Sequence, residues 1–141
     1  MYILVDTNVY LDIFLKREGF QDSKLFFKYC AKKQNKTFVT PTSLRDIGYI
    51  VHRYCHDKTL SKRAQVEAYR MTTKIIGVSE SNAIDALYSD VDDYEDALLV
   101  EAARENGLDI IVTNNISDFK YSPIRAFTPK QLCDIWSSEE D

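Results

Sequence analysis

Two rhythms of apolar and polar residues alternate along this chain. Tyr2 to Val5 is an unbroken run rich in β-formers, the pattern of a buried first strand, and it stops at Asp6. Thr7 and Asn8 then open a helix through about Leu15. Between Gln21 and Gln34, Leu25, Phe26, Tyr29 and Cys30 recur at helical spacing and predict a second helix with an apolar stripe. Thr37 to Thr40 reads as a second strand. Pro41, Thr42 and Ser43 supply a turn and an N-cap for a helix in which Leu44, Ile47, Ile50 and Val51 keep the helical period, with Asp46 in its first turn. Leu60 to Lys74 predicts another helix, Ile75 to Val78 a short strand, and Asn82 to Tyr88 a helix with Ser79 and Ser81 as candidate caps. From Tyr94 to Asn106 a helix turns Ala97, Leu98, Val100, Ala102 and Ala103 inward and ends at Gly107, which terminates it by going left-handed. Asp109 to Val112 is a strand, followed by a polar loop from Thr113 to Phe119. Ile124 to Phe127 predicts the last strand. Thr128 as cap, Pro129 at the first position and Gln131 closing a capping box open the final helix.

Strands alternating with helices imply right-handed crossovers. The expected fold is therefore a three-layer α/β/α arrangement around a mainly parallel sheet of about five strands. With 141 residues, 45% of them hydrophobic and only three prolines and four glycines, the chain has the make-up of a single domain over residues 1–141. Cys30, Cys55 and Cys133 are odd in number and far apart, which suggests neither a disulfide framework nor a zinc knuckle and favours a reducing cytoplasm. No apolar run approaches the roughly 18 residues of a membrane span. The net charge of −4 argues against coating nucleic acid through bulk electrostatics, so a polyanion would be met locally. Basic residues do cluster, at Lys32, Lys33 and Lys36 and again from Arg45 to Arg63, although solvated helix faces commonly look like this.

The topology gives four aspartates a common destination. Asp6 ends the first strand and Asp46 begins the helix after the second. From Asp96 a helix runs about 15 Å at roughly 1.5 Å per residue, and the following strand returns about 13 Å at roughly 3.3 Å per residue. Asp96 and Asp118 thus reach the same sheet edge as Asp6 and Asp46, the carboxyl ends of parallel strands, where open α/β folds place ligands. Carboxylates about 4 Å apart repel by roughly 4 kcal/mol at an effective dielectric near 20, a cost that protonation or a divalent cation relieves. The arrangement therefore points to a metal site.

Each acid also has a plainer explanation. Asp46 would close a capping box begun by Ser43, Asp96 one begun by Asp93, and Asp118 would form a turn before Phe119. Asp6 resists such a reading, because a carboxylate continuing a buried strand needs partners or a metal. Asp12, Asp92, Asp93 and Glu95 are assigned to solvent or capping roles. A phosphoaspartate hydrolase would need Asp-x-Asp after the first strand, where this chain has Asp6-Thr7-Asn8, and Gly19, Gly48, Gly77 and Gly107 supply no phosphate loop. His52 and His56 have a possible zinc spacing but lack the His-Glu-x-x-His pattern, and read as surface or RNA-facing residues.

Val5-Asp6-Thr7-Asn8, Asp96-Ala97-Leu98, and Ile111-Val112-Thr113-Asn114-Asn115 running on to Asp118-Phe119 together resemble the PIN-domain family of metal-dependent nucleases, including VapC-type toxins. The resemblance covers nearly the whole chain. It places Asp6, Asp46, Asp96 and Asp118 as catalytic metal ligands, with Asp46 where such toxins usually carry Glu. It implies one or two Mg²⁺ or Mn²⁺ ions, with Asn8, Thr113 and Asn115 orienting coordinated waters and Arg45 available to RNA. The reaction it implies is endonucleolytic hydrolysis of RNA phosphodiesters, and the partners are an RNA substrate, an antitoxin protein and a second copy of the chain. Two other classes stay open: a PIN-like RNA-binding or regulatory protein with weak or no cleavage, and an RNA-processing nuclease without an antitoxin.

Overall fold

The computed structural model describes residues 1–140. Its strands are β1 (Tyr2–Val5), β2 (Lys36–Val39), β3 (Lys74–Ile75), β4 (Ile110–Val112) and β5 (Ala126–Phe127), all parallel, in the order β3-β2-β1-β4-β5. The helices are α1 (Thr7–Phe14), α2 (Phe20–Lys32), α3 (Pro41–Cys55), α4 (Lys58–Met71), α5 (Glu80–Leu87), α6 (Tyr94–Glu105) and α7 (Pro129–Glu139). The pleat of the two central strands sorts side chains into two cores. Ile3, Val5, Ile110 and Val112 pack with α1, α2, α3, α4 and α7. Leu4 and Ile111 face the other way, onto α5, α6 and Phe119. A sheet buried on both faces between helical layers is the three-layer α/β/α architecture expected from the alternation of strands and helices.

Several boundaries differ from the sequence expectation. The cap of α3 is Thr40 rather than Ser43: the Thr40 hydroxyl accepts from the Ser43 amide at 3.1 Å. Pro41 takes the first helical position, where its missing N–H costs nothing. Asp46 consequently lies in the second turn of α3 and closes no capping box. Asp57 starts α4 earlier than expected by accepting from the Thr59 and Leu60 amides. The strand expected from Ile75 to Val78 is two residues long and begins at Lys74, because Thr37 and Thr73 tie the start of β2 to the segment ahead of it. Ser79 and Asn82 form a capping box that begins α5 at Glu80. Thr128 and Gln131 form the expected box on α7, and Gly107 takes the expected left-handed turn at φ 67°.

The central pair of strands positions the site. Val5 is in register with Val112, and beyond them the Asp6 amide donates to the Val112 carbonyl at 3.0 Å. Asp6 and Thr113 therefore leave the sheet side by side at its carboxyl edge.

Candidate active site

Asp6 is both the N-cap of α1 and the most enclosed of the four acids, only 6% exposed. One carboxylate oxygen accepts from the Thr7 amide at 2.8 Å, and the other from Thr113 Oγ1 at 2.8 Å and Asn8 Nδ2 at 3.1 Å. Asn8 Oδ1 in turn accepts from the Asn114 amide at 2.9 Å, and Thr113 Oγ1 from the Asn115 amide at 3.0 Å. These bonds lock the start of α1 to the loop after β4. They do not fully offset the loss of water: burial holds the Asp6 carboxyl up at about 6, against the pull of Thr113, Thr7 and Asn8 and with a push from the charge of Asp118.

Asp96 stands in the first turn of α6. Asp93 caps that helix by accepting from the Asp96 amide at 3.1 Å, but the reciprocal bond of a capping box is not made, which leaves the Asp96 carboxylate to the cleft. Its pKa is raised to about 7 by burial first, then by the charges of Asp6, Asp93, Asp118 and Glu95. Among the described residues no hydrogen bond or cation relieves it. Asp46 is neutralised differently. Arg45 donates to its Oδ1 from Nη2 at 3.0 Å and from Nε at 3.2 Å, while the same Nη2 lies 3.7 Å from Glu95 Oε1.

Asp6, Asn8, Arg45, Asp46, Asp96 and Asn115 line one cleft of about 700 Å³. Thr113 lies buried beneath it. Asp118 is exposed on a 3₁₀ turn, Ile116–Phe119, and does not line the cleft, although its charge reaches both Asp6 and Asp96. Of the residues given solvent or capping roles, Glu95 is exposed as expected yet borders the cleft, whereas Asp12 is buried. Glu95 lines the cleft beside Arg45. Asp12 is buried on α1, where it accepts from Asn114 Nδ2 and pairs at 4.0 Å with Arg17. Asn114, which sequence reasoning left unassigned, is thereby bonded to Asn8, Asp12 and Ser23 at once. Asp12 sits three residues after the inward Val9, at helical spacing, and that was the one signal of its burial. His52 and His56 are both exposed, and His56 ends α3 at φ 53°.

The donors fit a hard cation. All are carboxylate oxygens, and burial raises Asp6 to about 6 and Asp96 to about 7, with no cationic side chain among the described residues paired to either. Among the described residues no three of the acidic, histidine or cysteine side chains stand in ligating geometry, so an ion shared by several of these carboxylates would have to draw them together.

A family model described as PIN domain matches residues 2–117. The chain belongs to the PIN-domain family. PIN domains are a family of nucleases, and the matched segment of this PIN domain contains Asp6, Asp46 and Asp96, stopping one residue short of Asp118. No curated protein sequence matches it. Solved structures share its fold at low identity. A VapBC2 complex from Rickettsia felis bound to a promoter DNA fragment superposes with a TM-score of 0.71 at 18% identity, covering 91% of this chain and 98% of that one. A toxin-antitoxin complex from Klebsiella pneumoniae gives 0.61 at 22% identity, covering 90% and 97%. VapC20 of Mycobacterium tuberculosis, a toxin that cleaves the sarcin-ricin loop, gives 0.61 at 17% identity, covering 77% and 86%. Among the described residues no helix is long and apolar enough to cross a membrane.

Proposed function

We propose that this PIN domain is a divalent-metal-dependent endoribonuclease, the toxin of a type II toxin-antitoxin pair. The observation that carries the reading is the unbalanced negative charge of Asp6 and Asp96 in one cleft. Burying two carboxylates without counter-charge costs stability, which a protein gains back by binding a cation there. Asp6, Asp46, Asp96 and Asp118 would hold one or two Mg²⁺ or Mn²⁺ ions, with Asp118 reached from the turn beside the cleft. Such ions, when bound, lower the pKa of water and stabilise charge on a phosphoryl group.

The chain's own residues supply the rest. Asn8 and Thr113 fix the Asp6 carboxylate in one orientation, and Asn115 lines the cleft where it can orient water. Arg45 balances Asp46 and Glu95 in the free protein, and its side chain is 68% exposed, so it is free to exchange a carboxylate for an RNA phosphate. The likeness to VapC20, a toxin that cleaves the sarcin-ricin loop, supports RNA as substrate, and the toxin-antitoxin complexes support an antitoxin partner; a homodimer in the cytoplasm belongs to the same reading.

One observation favours a second reading, RNA binding with little cleavage: Asp46, one methylene shorter than the Glu usual in VapC-type toxins, is already paired with Arg45. The two readings separate when structured RNAs are incubated with purified protein and Mn²⁺ beside Asp6→Asn and Asp96→Asn variants. Cleavage by the wild type that falls roughly 100-fold or more in both variants is the expected result. Equal cleavage by all three proteins would trace the activity to a contaminant and remove the assignment of the site.

A further inference from the structure

The cleft does not end at the acids. Along α3, Arg45, Tyr49 and Arg53 follow one another at i, i+4 and i+8, and Asp46, Ile50 and Tyr54 form a second stripe beside them. All of these except Tyr54 line the acidic cleft. Arg17, Ile50 and Arg53 then continue into an adjoining hollow of about 490 Å³ whose remaining wall is Tyr54. Charge changes sign along the way, from the carboxylates at one end to two arginines at the other.

The far end is built in a definite way. Arg17 follows α1, and its amide donates to the Asp12 carbonyl at 2.9 Å. Its guanidinium pairs with buried Asp12 and lies over the Tyr54 ring, 5.4 Å from the centroid. Asp12 is the residue bonded to Asn114, which follows Thr113, so the position of Arg17 is tied to the same loop that orients Asp6. Tyr54 and Tyr49 are nonetheless 65% and 64% exposed. Exposed tyrosines beside arginines offer flat faces and positive charge together, and a ring with a guanidinium over one face keeps the other face for a second flat group.

Resting on the nuclease reading above, we propose that Arg17, Arg53 and Tyr54 form a subsite for single-stranded RNA next to the scissile bond, Tyr54 stacking an unpaired base and the arginines holding the adjoining phosphates. From Arg45 to Arg53 the stripe runs about 12 Å along the helix, room for a strand leaving the acids to follow it. Stacking on an aromatic face tolerates every base, and guanidinium groups suit phosphate geometry. A chain of net charge −4 needs such a local positive track to meet a polyanion at all. The subsite predicts preference for loops and single strands over duplexes, whose bases are already stacked.

The test is anisotropy of a labelled single-stranded oligoribonucleotide in EDTA, where no cleavage occurs, over a range of salt. Tyr54→Ala is expected to weaken binding about 10-fold with the salt dependence unchanged, and Tyr54→Phe to restore it. Arg53→Gln is expected to lower the slope of log K against log salt by about 0.7. A duplex of the same sequence should bind more weakly and ignore Tyr54→Ala. Unchanged single-strand affinity in Tyr54→Ala and Arg53→Gln would overturn the subsite and leave this face to a protein partner, as would a loss shared equally by the duplex. Failure of the nuclease reading looks different: no cleavage in Mn²⁺, with these binding effects intact.

Discussion

Asp96 shows what a single side chain in this site costs. Its carboxyl titrates near 3.8 in an unfolded chain and about 7 in the fold. The native state therefore holds the proton more tightly, so the stability associated with Asp96 is complete below about pH 4 and is lost as the pH rises through about 7. Asp96→Asn cannot ionise and escapes that loss. In metal-free buffer, urea unfolding should find the variant and the wild type similar near pH 4 and the variant more stable near pH 8, by roughly 2 kcal/mol after allowance for partial exposure. A wild type that loses nothing relative to Asp96→Asn over this range would mean that the carboxylate is solvated and unstrained. The sequence made Asp6 and Asp96 legible because each sits at a predicted strand or helix end. Asp12 was missed because one acid within an apolar helix looks the same whether it faces water or, as here, Asn114 and Arg17.

At the scale of elements, α3 carries Asp46, Arg45 and the stripe of arginines and tyrosines, and its start depends on local bonding. Thr40 is fully buried, accepts from the Ser43 amide and donates to the Ser43 hydroxyl at 3.2 Å. Thr40→Ala removes the cap and should lower stability by about 1–2 kcal/mol in thermal unfolding, with a further loss of RNA affinity if the first turn frays and releases Arg45. A change below a few tenths of a kcal/mol would show that Pro41 alone fixes the start. By sequence pattern Thr40 belongs to the second strand, and the turn and cap come from Pro41, Thr42 and Ser43. In the structure Val39 ends β2 fully buried and leaves Thr40 at the sheet edge, free to cap the helix. The strands β1 and β4 were legible from continuous apolar runs. The edge strands β3 and β5 were blurred because two residues of pairing leave too little pattern to read. Glu95 was passed over for a related reason: its place beside Arg45 depends on how α6 packs near α3, a relation with no local signature.

Over the whole molecule, Asp6, Asp46 and Asp96 come to one cleft, with Asp118 on the turn beside it, only when β1 pairs with both β2 and β4, so an unfolded chain has no means of gathering them. An ion that binds the native state alone stabilises it through mass action, by about 2.7 kcal/mol at a concentration 100 times its Kd. For a domain of this length that is a rise of roughly 9 °C in Tm. Calorimetry with Mn²⁺ should find this rise in the wild type and little of it in Asp6→Asn or Asp96→Asn. Arg45→Gln tests the same balance from the other side. Without its guanidinium, Asp46 and Glu95 add uncompensated charge to the cleft, so the variant should be less stable without metal and gain more from Mn²⁺ than the wild type, while binding RNA more weakly. If Asp96→Asn gained as much from Mn²⁺ as the wild type, the ion would be stabilising some other part of the protein, and the charge imbalance in the cleft would need a different purpose. A gain lost in the aspartate variants and enlarged in Arg45→Gln has no such alternative, because opposite changes in charge would then have moved metal affinity in opposite directions at one place.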